Sequence, residues 1–567
     1  MTIAEWFVFF LILQVIHFAG TWKLYKEAGY QPWHALVPIY NAIILMKIIN
    51  RSSWWTILLF VPVVNLIMFP VIWVETIRSF GRNSTKDTVL VLLTLGFYIY
   101  YVNYTQKVTH ITDRSLVSKT KAGDTISSLL FAIVVATIVH TYVMQPFTIP
   151  TSSLEKTLLI GDFLFVSKFH YGARTPMTTV ALPMVHDSIP LTKQKSYMKW
   201  PQLPYFRFPG FQKIEREDIV VFNWPVDTVY QFFDESGRHI DKPLDKRSNY
   251  VKRCVGTPGD TIFIKDGILK VNGKELILPE RAKPQFYYTA TFKESPSNDF
   301  FSTYDISDVM FVFEIDRKLW ENKDVQEYLK IKRKQKEAYL IEQQKDSATV
   351  TITGNIARDS EVYIKLNIKR KESIFNINLT EEKVNAIKKD GRVLSVKRFI
   401  NPPTSVFPKT EKNWSADNYG PLYIPQQGKT VALNIATLPL YSRLISVYEH
   451  HDLKVSGNEI RIDGKVATSY TFGQNYYWMM GDNRHNSEDS RFWGFVPEDH
   501  IVGKPVFLWM SWDTNGKGLN KIRWERLFTT VGGEGQPYSY FKFFLIAIAA
   551  YFGITFFLNK RREKADN

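Results

Sequence analysis

Apolar residues in this chain are gathered into a few long runs, and the stretches between them follow a different rhythm. Residues 3–19 are nearly continuous in apolar side chains. No basic residue precedes that run and no small-x-small site follows it, so it reads as a membrane anchor and not as a cleaved leader. Residues 54–74 form a second run, interrupted by Pro62, Asn65 and Pro70, which predicts a broken or re-entrant segment. Residues 88–104 form a third, short for a full crossing, and residues 126–143 a fourth, cleaner one. Residues 541–558 form the last. Two histidines, His17 and His140, fall inside these runs. A packed histidine at a helix contact explains them better than a proton relay.

Between the fourth and last runs the period shortens to two. Residues 162–166, 218–222, 261–264, 268–271, 459–462 and 476–480 are β-rich or alternating. Turn residues separate them: Pro258-Gly259-Asp260, Asp266-Gly267, Asn272-Gly273, Asp463-Gly464 and Gly481-Asp482-Asn483. This predicts a mostly antiparallel β domain. Residues 278–448 differ again and read as an α+β insertion. Within them, residues 316–344 are rich in Lys, Glu, Gln and Leu and predict a helix. Residues 380–389 predict a second helix, capped by Thr380, with Glu381 and Glu382 in its first turn, Lys388 and Lys389 in its last, and Gly391 beyond it. Residues 401–425 are proline-rich and predict a loop. The expected organisation is a membrane-helix module at 1–125, a transmembrane helix at 126–147 and a catalytic β domain in two parts, 148–277 and 449–535. The insertion at 278–448 divides that domain, and a C-terminal transmembrane helix with a basic tail follows at 536–567.

Charge orients the chain. Lys107, Arg114, Lys119 and Lys121 precede the fourth run; Lys560, Arg561, Arg562 and Lys564 follow the last. Basic flanks stay in the cytoplasm, so the chain between those two runs is expected outside it. Arg78, Arg82 and Lys86, between the second and third runs, leave the crossings of the N-terminal module open. Composition narrows the class. The 567 residues carry 71 Lys plus Arg against 55 Asp plus Glu, and 15% are aromatic, which excludes a disordered chain. The cluster Lys330, Lys332, Arg333, Lys334 and Lys336 lacks interleaved aromatics and is followed by Glu337 and Glu342. A solvated helix face fits it better than a nucleic-acid site. One cysteine, Cys254, excludes an intramolecular disulfide and a cysteine-rich zinc site.

Few residues offer chemistry by their own pattern. Glu449-His450-His451-Asp452 lacks the spacing of a shared metal-binding face, and no phosphate-binding glycine loop is present, so no metal or cofactor is expected. Cys254 reads as a core residue. The segment Ile149-Pro150-Thr151-Ser152-Ser153 lies just beyond the fourth run, where a serine could protrude from a turn. Lys252 alternates with Val251 and Val255, so a strand would aim it at one face.

Five segments together carry a resemblance. These are I-P-x-x-S at 149–153, G-D-F-L-F-V-x-K at 161–168 and D-I-V-V-F at 218–222. The others are Y-x-K-R-x-V-G-x-P-G-D at 250–260 and G-D-N-R-x-x-S-x-D-S-R-x-W-G-x-V-P at 481–497. In order and content they resemble the boxes of bacterial type I signal peptidase, in a long form with extra membrane helices and an insertion. The resemblance implies a membrane-anchored, mainly β protein whose catalytic domain is a coiled antiparallel sheet. It implies Ser153 as nucleophile, Lys252 as general base and Ser487 holding the lysine amine. It also implies Asp489 and Arg491 as supporting residues, and Thr151 with the Ser153 amide as oxyanion donors. Arg253 should point to the opposite face from Lys252. The implied activity is removal of signal peptides from exported preproteins after a small-x-small segment bound as an added strand, without a cofactor. The implied place is the bacterial inner membrane with the catalytic domain on the periplasmic side, in contact with lipid, near the export translocon and without nucleic acid. Two departures stand out. Leu154 and Lys156 occupy positions where the family commonly has Met and Pro, and Lys156 brings a second amine near Ser153. A catalytically inactive export scaffold is the alternative reading; a self-cleaving repressor-like protease would need a DNA-binding segment and a cytoplasmic site.

Overall fold

The computed structural model describes residues 1–117, 120–230, 237–334, 339–346, 348–357 and 360–565. Lys119, Lys336 and Glu337, which belong to the charge patterns above, lie outside the described residues. Helix and strand are mixed along the chain. Three described helices are long and apolar enough to cross a membrane: Ile3–Glu27, Lys121–Val143 and Phe541–Arg561. The 54–74 run is broken, as its prolines predict. It forms Trp55–Leu58 and Val64–Ser79, with the break at Pro62-Val63, while Pro70 is accommodated inside the second helix. The third run folds into Thr85–Leu93 and Tyr98–Thr105, bent by 119°.

Lys121–Ile138 continues through a π-turn, Val139–Val143, directly into the strand Met144–Thr148. This long apolar helix is therefore joined to the sheet that follows without a flexible linker. That sheet has eight strands. Its order runs Met144–Thr148, Asp162–Ser167, Ile501–Ser511, Ile219–Asn223, Asn249–Gly256, Tyr476–Met480 and Val496–Pro497. Thr529–Thr530 pairs beside Ile501–Ser511, and every pairing is antiparallel. Residues far apart in sequence thus become neighbours: the strand carrying Lys252 lies beside the strand that leads into Gly481.

A second sheet orders Tyr419–Tyr423, Thr261–Lys265, Ile268–Val271 and Lys274–Glu275. Its hairpins turn where the sequence signals them: Asp266 and Gly267, then Asn272 and Gly273, all take the positive φ such tight turns require. Tyr419–Tyr423 lies within the stretch expected as a proline-rich loop; Pro421 is tolerated there because the strand is at the sheet edge. Val406, Tyr419, Leu433, Tyr441 and Tyr448 share one core with Val255, Ile262 and Trp478.

Residues 285–398 form a separate six-stranded antiparallel sheet. Its order is Tyr339–Lys345, Thr349–Asn355, Val309–Asp316, Lys369–Thr380, Gln285–Phe292 and Val393–Arg398. Phe292, Phe300, Phe375, Ile377 and Ile387 fill one side of it. The expected helix at 316–344 is replaced by Arg317–Glu321, Lys323–Lys334 and the strand Tyr339–Lys345. Two local caps explain the division. Asp316 accepts from the Lys318 and Leu319 amides, and Asn322 accepts from the Asp324 amide at 2.8 Å, starting a new helix. The last part is drawn into the sheet by pairing with Thr349–Asn355, a tertiary preference that overrides composition. The second expected helix is present as Glu381–Ile387, with the Thr380 hydroxyl accepting from the Lys383 amide.

Candidate active site

Ser153 sits in the connection between Met144–Thr148 and Asp162–Ser167. The base of that loop is closed by the Ile149 amide donating to the Asp162 carbonyl and the Gly161 amide donating to the Ile149 carbonyl, both at 2.9 Å. Inside it, Ser152–Leu154 is a single 3-10 turn. Leu154 is buried and packs with Ile149, Leu158, Leu164, Ile219 and Leu508. It thus anchors the loop in the core, and the neighbouring Ser153 side chain faces the opposite way into a buried polar pocket.

Lys252 comes from the strand Asn249–Gly256, opposite Val220 of Ile219–Asn223. It is 3% exposed. Its Nζ donates to Ser153 Oγ at 2.7 Å and to the Val251 carbonyl at 3.2 Å. The Tyr250 ring lies 5.2 Å away and packs edge-on against Trp493. Burial pushes the Lys252 amine down to about 8, against the pull of the Asp489, Glu488 and Asp482 carboxylates; Arg491 adds to the lowering. Alternation sends Arg253 to the other face. There it makes two bonds to the Asp482 carboxylate, 2.8 and 2.6 Å, both partners buried. Asp482 also accepts from the Thr157 hydroxyl at 2.7 Å, so this pair reaches the serine loop.

The segment after Tyr476–Met480 closes the site. A Cβ at Gly481 would come within 2.3 Å of Ser487 Oγ and 2.5 Å of the Ser153 carbonyl oxygen. Only glycine leaves room for both. The Asn483 amide donates to the Ser153 carbonyl at 3.0 Å, and its Nδ2 donates to the Ser152 carbonyl at 3.1 Å. Asp489 and Arg491 form a fully buried bidentate pair, both bonds 2.8 Å; Asp489 also accepts from the Gly481 amide, and Arg491 donates to the Arg484 carbonyl at 2.6 Å. The pair ties the two ends of the loop that carries Ser487.

One expected contact is not formed. Ser487 is buried, and its hydroxyl lies against the Asp489 carboxylate and helps hold that carboxyl below its usual range; no hydrogen bond joins its Oγ to Lys252. The lysine amine is already directed at Ser153 and Val251, while Ser487 fills the space that Gly481 leaves. Lys156 does not compete for the site. Its amine is held by Asp305 at 2.6 Å. The Thr151 hydroxyl and the Ser153 amide have no hydrogen-bond partner among the described residues. Cys254 is wholly buried and its thiol is pushed far up by burial, which leaves it inert. Glu449 accepts from the Tyr476 hydroxyl at 2.7 Å and the Gly473 amide at 2.8 Å, a packing role away from the site.

A family model described as signal peptidase, peptidase S26, matches residues 122–354 and 440–512. The chain belongs to the signal peptidase family S26. A second match, to a family of unknown function (DUF5684), covers residues 33–113 in the membrane module. Among similar proteins, signal peptidase I of Buchnera aphidicola subsp. Schizaphis graminum is 24% identical over 389 residues, covering 68% of this chain and 75% of that protein. Signal peptidase I of Haemophilus influenzae is 21% identical over 421 residues, 72% of this chain and 76% of that protein. Signal peptidase I of Rickettsia massiliae is 29% identical over 205 residues, 35% of this chain and 62% of that protein. The family match spans Ser153, Lys252 and the Gly481–Arg491 segment, so the residues gathered above fall where the family likeness lies.

Three positions escaped sequence reasoning as site residues. Gly481 and Asn483 lie inside the quoted segment, where the G-D-N triplet reads as an ordinary turn. Asn378 contacts Asn483 from the insertion, and nothing in its local sequence signals this.

Proposed function

We propose that this membrane-anchored signal peptidase cuts preproteins with Ser153 as nucleophile and Lys252 as general base. The observation that carries the reading is the buried 2.7 Å contact between Lys252 Nζ and Ser153 Oγ. A lysine at its ordinary pKa is a poor base at neutral pH. With its pKa near 8, roughly a tenth of Lys252 is neutral at pH 7, and the contact then reverses, with the serine hydroxyl donating to Nζ. Ser153 Oγ attacks the scissile carbonyl as its proton passes to Nζ. The oxyanion meets the Ser153 amide and the Thr151 hydroxyl, both without another partner among the described residues. Lys252 then gives the proton to the departing amine, and water releases the acyl group by the reverse route. Ser487, Asp489 and Arg491 support the pocket; the Ser487 hydroxyl, beside the Asp489 carboxylate, turns to the amine when the serine is acylated.

Charge and contact support a location. Trp6 Nε1 donates to the Gln202 carbonyl at 2.9 Å, and Val63 packs with Ala181 and Tyr197, so those ends of the membrane module meet the outer domain. At the opposite end, Arg51, Arg78 and Arg114 surround the buried Glu75, and Lys26 ends the first helix. This supports basic residues in the cytoplasm, a catalytic domain on the periplasmic side of the inner membrane, and a bent 85–105 segment that enters and leaves by the cytoplasmic face. Such a site meets preproteins as they emerge from the translocon, beside lipid. We assign residues 285–398 as the insertion proper and residues 400–448 to the catalytic unit.

The test is cleavage of a preprotein in liposomes by wild type, Ser153→Ala and Lys252→Ala. Cleavage after a small-x-small segment by wild type alone is expected. Residual cleavage by Ser153→Ala would redirect attention to Ser152, and an inert wild type would favour an inactive scaffold.

A further inference from the structure

The six-stranded insertion is the largest part of the outer region without a task in the chemistry above. It does not hang free. Gln285, at the start of its first strand, donates through its amide to the Asp482 carbonyl at 2.8 Å and accepts from the Arg484 amide at 2.9 Å. Its side chain donates to the Glu155 carbonyl at 2.8 Å. Asp305 holds Lys156 at 2.6 Å and Lys383 at 2.9 Å. The insertion therefore grips the serine loop and the Gly481 segment together.

One contact in this grip has a direction. Asn378 Nδ2 has two hydrogens. One goes to Asn483 Oδ1 at 2.8 Å, the other to the Asp308 carboxylate at 3.2 Å. Asp308 also accepts from the Tyr287 hydroxyl at 2.7 Å and from Asn486 Nδ2. A carboxylate only accepts, so it fixes which way the Asn378 amide faces. That leaves Asn378 Oδ1 buried and unpaired, which shows how strongly the two donor bonds set the orientation. Asn378 in turn fixes Asn483, whose Oδ1 accepts and whose Nδ2 is thereby aimed at the Ser152 carbonyl. Turned over, Asn483 would set an oxygen against that carbonyl and an NH2 against another NH2. Both asparagines are buried, so water cannot substitute.

We propose that the insertion is a positioning device for the nucleophile, and that Asn378 is a positioning residue acting through Asn483 on the Ser152 and Ser153 carbonyls. The serine must hold its Oγ toward Lys252 and its amide toward the oxyanion at once. Misplacement by about 1 Å can lose roughly a hundredfold in rate. The 3-10 turn that carries Ser153 is too short to fix itself, and the relay from Asp308 supplies the missing constraint. This rests on Ser153 being the nucleophile.

The experiment uses the full-length enzyme in liposomes and compares wild type, Asn378→Ala, Asn378→Ser and Ser153→Ala on one preprotein between pH 6 and 10. For Asn378→Ala, kcat should fall about ten- to a hundredfold. KM should stay within about twofold of wild type, because the relay touches no substrate. The rising limb of the pH profile should stay where wild type has it, because Lys252 is set by its own strand. Asn378→Ser, whose hydroxyl is too short to reach Asn483, should behave alike. The proposal is overturned by a kcat within about twofold of wild type in a folded variant, or by a loss carried in KM, which would make the insertion a substrate contact. A moved pH limb would also overturn it, by placing the effect in the base pocket. Failure of both variants to fold would assign Asn378 a purely structural role. Activity in Ser153→Ala would instead reject the nucleophile itself.

Discussion

Lys252 and Ser153, the proposed base and nucleophile, are held in opposite ways. Lys252 belongs to a regular strand, registered by its ladder against Ile219–Asn223 and flanked by Tyr250 and the buried Cys254. Ladder geometry fixes its direction and apolar packing fixes its protonation. Ser153 belongs to one short turn. Its backbone is placed by side chains from four separate stretches: Thr157 to Asp482, Gln285 to Glu155, Asp305 to Lys156, and Asn378 through Asn483. Secondary structure can deliver a base. A nucleophile that must satisfy a base and an oxyanion together needs tertiary clamps.

The sharpest way to break this division is at the link between its halves. Arg253→Ala leaves Asp482 buried without its partner, and removal of one member of such a pair destabilises by about 3–5 kcal/mol. Chemical denaturation should show that loss, with activity falling along with it. Gly481→Ala acts on the nucleophile side alone. The added methyl meets Ser487 Oγ and the Ser153 carbonyl, so the serine loop must move. A stability loss of about 1–3 kcal/mol and a rate loss above roughly a hundredfold are expected, with KM little changed. A rate near wild type in a folded Gly481→Ala would mean the loop tolerates displacement and the comparison is overdrawn.

The base side is read by pH. Lys252 must lose its proton to act, so kcat/KM should rise about tenfold per pH unit below about 8 and level above it. The same lowering has a stability consequence. The native pKa lies below the unfolded one, so the burial penalty is in full force below about pH 8. It is relieved as pH rises from about 8 to 10.5. Lys252→Met should therefore raise the unfolding midpoint at pH 7 while abolishing cleavage; an unchanged or lower midpoint would mean the amine is better solvated than its surroundings indicate. The smallest effect is expected at Lys156→Ala. Its partner Asp305 is largely exposed, and such pairs contribute about 0–1 kcal/mol. Activity within about threefold of wild type would separate this outer contact from the buried relay.

Much of this was legible before any coordinates. The five segments brought Ser153 and Lys252 forward, and alternation alone placed Arg253 away from the base. The hairpin turns at Asp266-Gly267 and Asn272-Gly273 and the cap at Thr380 formed where side-chain chemistry calls for them, because these depend only on neighbours in sequence. The stretch at 316–344 was misleading for the same reason. Its composition favours helix throughout, and only pairing with Thr349–Asn355 draws Tyr339–Lys345 into a sheet. Residues 401–425 offered prolines and no period, yet Tyr419 became part of the core around Trp478.

By itself, then, the sequence determined which stretches are long and apolar enough to cross a membrane, where positive charge gathers beside them, and which residue types are available for acyl transfer. Those follow from local hydrophobicity, local charge and local turn chemistry. Tertiary structure alone decided that Lys252 is buried against Ser153, that Gly481 must lack a side chain, and that Asn378 faces Asn483. Each of these depends on what fills the few ångströms around a group, and decisive atoms there come from segments distant in sequence: Ser153 against Lys252 and Gly481, and Asn483 against Asn378.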